Sequence, residues 1–157
     1  MTTPRRAKRR PATPNRRQSR EAAFQLLFAM QQGATADRAA LVTHLGAVER
    51  EESVGAFPQD EFSSRLLDVV DTNADAIEAA LGKALTGWTL DRVAAPDRAI
   101  LRLGIAEILF CADIPNAVSI NEYIELSKEY GDEESPRFVN GVLDRVSRDA
   151  TAAKPKE

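Results

Sequence analysis

At 157 residues, with 43% hydrophobic, 29% charged and 6% aromatic side chains, the chain has the composition of a soluble helical body large enough to bury a core without staples. A single cysteine, Cys111, excludes an internal disulfide and a multi-cysteine zinc cage. No apolar run approaches the roughly 20 residues that cross a bilayer, and the basic N-terminus meets Pro and Asn where a secretory leader would be apolar, so a cytoplasmic protein without membrane contact is expected.

The net charge of −3 conceals an asymmetry. Of the 21 basic residues, eight (Arg5, Arg6, Lys8, Arg9, Arg10, Arg16, Arg17 and Arg20) lie in the first 20 positions with no acid among them, which leaves 13 against all 24 acids in the remainder. A basic arm fused to an acidic body suits a polyanion held at one end; a tail that folds back on the acidic body has the same composition.

Positions 1–15, with Pro4, Pro11 and Pro14 among arginines and threonines, read as a disordered arm. From Arg16 the pattern is helical: Ala23, Phe24, Leu27, Phe28 and Met30 recur at spacings of three and four, and Gly33 ends the run. A short helix is expected from about Ala36 to Val48, followed by an exposed loop over 49–60. Helical periodicity returns at Phe62, Leu66, Leu67 and Val70, breaks near Asp71 to Asn73, and resumes at Ile77, Ala80 and Leu81. Trp88 then reads as a packing anchor at a junction.

The second half is punctuated more cleanly. Pro96 suits the first turn of a helix carrying Ile100, Leu101, Leu103, Ile105, Ile108, Leu109 and Phe110, a nearly all-round apolar set expected at the centre of the fold. Ile114-Pro115 stops it, Ser119 and Glu122 read as a capping box opening the next helix, and Gly131 closes that one. Ser135 and Pro136 start a last helix with the stripe Phe138, Val139, Val142, Leu143 and Val146, fraying into a tail over 149–157. The expectation is an all-α fold of about seven helices in two packed subdomains, 16–86 and 87–148.

Catalysis needs convergent groups, and one His with one distant Cys supplies none. His44 has no second histidine at i+4 and reads as structural; Cys111, after Ile108-Leu109-Phe110, reads as an inert core thiol. Glu51-Glu52 and Glu133-Glu134 read as a solvated rim, and Gly104 as a point of close helix contact rather than part of a phosphate cradle. No cofactor, metal or enzymatic role is therefore expected. The positive signal is that Arg16 and Arg20 continue the stripe of Phe24 and Phe28 past the end of the bundle. A guanidinium forks onto phosphate and stacks on unpaired bases, so single-stranded RNA suits this end. A second candidate surface is the helix start at Ser135 to Asn140, where free N–H groups, Arg137 and Asn140 suit phosphate and a base edge.

An ordered series now stands out: Trp88-Thr89-Leu90-Asp91-Arg92-Val93, Asp97-Arg98-Ala99-Ile100-Leu101-Arg102-Leu103, Asp113-Ile114-Pro115, Ile120-Asn121-Glu122 and Ser135-Pro136-Arg137-Phe138-Val139-Asn140-Gly141-Val142-Leu143-Asp144. With the helix from Arg16 to Phe28, it closely resembles the NusB transcription antitermination factors over about 16–148. That resemblance implies two perpendicular three-helix bundles, binding of the boxA element of ribosomal RNA leader transcripts together with NusE (a small-subunit ribosomal protein), and entry into the antitermination complex on RNA polymerase. By motif position it implies RNA contacts at Arg16, Arg17, Arg20, Gln25, Phe28, Arg137, Phe138 and Asn140, and NusE contacts at Arg102 and Glu107. A homodimer is compatible with the resemblance. Two other readings stay open: the RNA-binding domain of a ribosomal RNA methyltransferase, whose cofactor-binding domain is not in this sequence, and a helical adaptor that binds only protein.

Overall fold

The computed structural model describes residues 15–33, 61–87 and 89–153. The expected helix over 36–48, the loop after it, His44 and Trp88 lie outside these residues. Among them are six α-helices and no strand: α1 (Arg16–Gln31), α2 (Glu61–Thr72), α3 (Ala74–Ala84), α4 (Ala95–Phe110), α5 (Asn116–Tyr130) and α6 (Ser135–Ala153), with a 3₁₀ turn at Leu90–Arg92.

Local chemistry sets most boundaries. Asn15 caps α1 reciprocally: its side chain accepts from the Gln18 N–H at 2.8 Å, while the Gln18 side chain accepts from the Asn15 N–H at 3.0 Å. The chain leaves α1 through Gly33 in the left-handed region, φ +77°, which a side chain would disfavour. Pro96 sits in the first turn of α4, where its missing N–H costs nothing.

Helix α4 is the centre. It packs against each of the other five helices, with α1 and α2 on one side and the mutually packed α5 and α6 on another. Ile100, Leu101, Leu103 and Ile105 are all fully buried, each favouring the fold by about 1.5–3 kcal/mol relative to exposure. Gly104 allows the approach of α6: a Cβ there would lie 2.8 Å from Leu143 Cδ1. Cys111, which ends α4, is buried as the apolar run before it implied, and burial pushes its thiol pKa up.

Two boundary expectations are corrected. Helix α5 begins at Asn116, three residues before Ser119, so Ser119 and Glu122 do not form a capping box. Both are inside the helix and turned to tertiary partners. Helix α6 continues to Ala153 rather than fraying from 149, carried by ion pairs one turn apart, Arg145–Asp149 and Arg148–Asp144, and by Thr151 Oγ1 donating to the Ser147 carbonyl.

Candidate RNA-binding surface

The first turn of α1 carries cations and no acid, an arrangement that opposes the helix dipole. Something outside helix propensity holds them there, and the three arginines are held in three different ways. The Arg16 guanidinium carbon lies 4.3 Å from the centre of the Phe62 ring on α2, a cation–π contact that leaves an exposed charge. Arg17 forks onto Glu122 of α5, Nε to Oε2 at 3.0 Å and Nη2 to Oε1 at 3.2 Å, with its side chain still 61% exposed. Its pKa is raised, first by the hydrogen bond to Glu122 and then by that carboxylate's charge.

Arg20 is different in kind. It is 4% exposed and forks onto Glu107, a carboxylate with no exposure at all, at 2.8 Å and 2.7 Å. Glu107 also accepts from Ser119 Oγ at 2.9 Å and from the Tyr123 hydroxyl, so one acid of α4 joins α1 and α5. Burial pulls the Arg20 pKa down, but the hydrogen bonds and charge of Glu107 outweigh it and leave it raised. Burial, with the same carboxylate, pushes the Tyr123 hydroxyl well above its usual range. The expectation that Arg20 stands open beside the bundle is thus corrected: continuing the stripe of Phe24 takes it into the core, where a buried carboxylate awaits it. The expectation that Glu107 faces a partner protein is corrected for the same reason.

Around Arg16 and Arg17 lies an open groove of about 510 Å³, walled on its far side by Asp113, Ile114, Pro115 and Val118. Asp113 is held by Arg65 of α2, at 3.1 Å and 2.5 Å, and that guanidinium holds its carboxyl pKa down at about 2. Further along α1, Gln25 donates to the Tyr130 hydroxyl at 3.2 Å, and Tyr130 in turn donates to Glu21. Phe28 is half-buried and stacks on Phe24 with ring centres 5.8 Å apart, while Phe24 meets Tyr130 at 4.7 Å. Helix α1 therefore reaches, through Tyr130, the turn that opens α6.

On that turn, Arg137 and Phe138 line a second groove of about 390 Å³ with Arg92, Asp97 and Asp132. Arg137 and Asn140 are exposed, and Phe138 is half-buried against the core. Ser135 Oγ donates to Asp97 Oδ2 at 3.1 Å, and burial raises the Asp97 carboxyl pKa. Among the described residues the two grooves share no lining side chain, so Arg137 and Phe138 line a different groove from Arg16 and Arg17. Arg102 lies elsewhere on α4, half-buried, donating to Glu78 of α3 at 2.5 Å and to Gln31 of α1.

Sequence patterns alone do not single out Phe62, Arg65, Tyr123 or Tyr130, and they give Glu122 a local task. Only Glu107 leaves a trace that can be followed: the one acid within the apolar stretch Ile100 to Phe110 must find a buried partner.

The NusB family model matches residues 17–148. The transcription antitermination protein NusB of Desulfitobacterium hafniense is 41% identical over 132 residues, which is 84% of this chain and 87% of that protein. Among solved structures, NusB from T. maritima superposes with a TM-score of 0.71 at 32% identity, covering 87% of this chain and 93% of that one. A NusB determined as a complex of the antitermination factors NusB and NusE with double-stranded RNA superposes with a TM-score of 0.69 at 26% identity, covering 85% and 96%.

Proposed function

The chain belongs to the NusB family, and from that footing we propose that it is a transcription antitermination factor whose α1 N-terminus holds single-stranded boxA RNA. The observation that carries this reading is the pair Arg16 and Arg17, exposed on a capped first turn without acids and fixed beside a groove by Phe62 and Glu122. Their planar forks suit phosphate and unpaired bases. Gln25, Phe28, Arg137, Phe138 and Asn140 extend the proposed RNA path along α1 towards the start of α6. Arg20 contributes as a positioning residue, because its guanidinium is used inside the protein. The role is regulatory binding rather than catalysis.

NusE is the proposed protein partner, with Arg102 and its companion Glu78 at the contact and Glu107 acting only by fixing α1 against α5. The complex of RNA, NusE and this chain would then join RNA polymerase. The test is a titration of boxA and scrambled RNA of equal length, each with and without NusE. Contacts to about three to five phosphates give a log–log salt slope of roughly −2 to −3.5 for a single strand. The expected result is tighter binding of boxA than of the scrambled strand, strengthened by NusE; equal affinities in all four titrations, or a slope near zero, would refute the reading.

A further inference from the structure

Arg16 and Arg17 stand side by side on α1, yet among the described residues only Arg17 forms a direct ion pair with an acid. Arg16 rests on an aromatic face, which takes up none of its N–H donors in a conventional hydrogen bond. Arg17 gives two donors to Glu122. Glu122 is no loose rim acid, since its side chain is 18% exposed and its position is set by the middle of α5. Beyond it, Glu125 and Glu129 follow at intervals of three and four, and with Glu21 they line a second hollow that also touches Arg17. The Arg17 guanidinium and its partner Glu122 thus line both the groove of Arg16 and a hollow rich in acids.

A carboxylate and a phosphate ask the same thing of a guanidinium: two parallel N–H donors in one plane. An RNA phosphate reaching Arg17 therefore meets an occupied fork. It must either displace Glu122, or bind the remaining donors within a few ångströms of a like charge.

We infer that Glu122 is a built-in competitor for the RNA phosphate at Arg17, lowering the affinity of this end of α1 for any polyanion and leaving discrimination to contacts further along the surface. This rests on the reading that RNA lies over the first turn of α1. Because the pair is partly exposed, the effect is modest and screened by salt. Freeing Arg17 tightens binding by about two- to fivefold at low salt.

The experiment is a four-protein cycle: wild type, Glu122→Gln, Arg17→Ala and the double variant, titrated by fluorescence anisotropy against single-stranded boxA RNA and a scrambled strand at about 0.1 M salt, near a 10 Å screening length. Glu122→Gln keeps the shape of the side chain, and a thermal melt checks that the body is unchanged. The expected result is that Glu122→Gln tightens both RNAs by a similar factor, Arg17→Ala weakens both, and the gain disappears when Arg17 is absent. If Arg17→Ala weakens binding but Glu122→Gln leaves it equal or weaker, Glu122 merely positions Arg17 and the inference falls while the RNA reading stands. The inference falls in the same way if the gain persists without Arg17, which would mark general charge removal, or if it is confined to boxA, which would mark base reading. If Arg17→Ala changes nothing, the RNA reading itself falls and takes the inference with it.

Discussion

Replacing Arg20 by Ala removes the cation from a carboxylate that water does not reach. In the native protein the Arg20 fork meets Glu107 at 2.8 Å and 2.7 Å, and its guanidinium carbon lies 5.4 Å from the Phe62 ring centre and 6.0 Å from that of Tyr123. After the substitution, Glu107 keeps the Ser119 and Tyr123 hydroxyls but has no counter-charge. Breaking a buried pair from one side costs about 3–5 kcal/mol. For a chain of this size each kcal/mol lowers the melting temperature by roughly 2–4 °C, so Arg20→Ala is expected to melt about 6–20 °C below wild type. Arg20→Lys, which keeps the charge but loses the fork, falls between the two. By contrast, Arg16→Ala and Arg17→Ala act at exposed positions and leave the melting temperature close to that of wild type. The assay is urea and thermal unfolding followed by circular dichroism. A loss below about 1 kcal/mol for Arg20→Ala would refute the assignment of this residue to the interior.

Two further outcomes follow from particular contacts. Asp113 has its pKa lowered to about 2 from 3.8 by Arg65, so its contribution to stability is complete above about pH 4 and is lost as pH falls through 2. Asp113→Asn should therefore flatten the acid limb of stability over that window, measured as the urea midpoint against pH; parallel limbs for the two proteins would show the pair to be inert. At Gly131 the backbone angle is ordinary, but a Cβ would lie 2.3 Å from Ser135 Oγ and 2.8 Å from the Ser127 carbonyl oxygen. Gly131→Ala should lower stability by about 1–3 kcal/mol through this overlap, and an unchanged melting temperature would mean the turn yields freely.

What the sequence discloses is governed by distance along the chain. Helix α1, the break near Asn73, the Pro96 start of α4 and the Gly131 stop of α5 depend on neighbours within a turn, and all are legible from spacing. Ser119 and Glu122 mislead because their spacing satisfies a local rule while their partners, Glu107 and Arg17, lie on other helices. The same limit applies to the arginines: helical angle puts Arg20 on the apolar stripe, but nothing local shows that a carboxylate 87 positions away receives it. The aromatic shelf under Arg16 is hidden too, since Phe62 looks like any core residue of its helix. The extension of α6 is legible after all, in acid–base pairs four residues apart.

The clamp of Glu107 across α1, α4 and α5 has a thermodynamic consequence for any strand that settles on α1. Because the helix is bolted to two neighbours before a ligand arrives, its backbone needs no ordering on contact even where Arg17 must exchange Glu122 for a phosphate, and the conformational entropy lost in forming the complex falls mainly on the nucleic acid. A receptor of this kind favours strands that are already extended and unpaired, and it penalises those that must first melt a hairpin to lie along it.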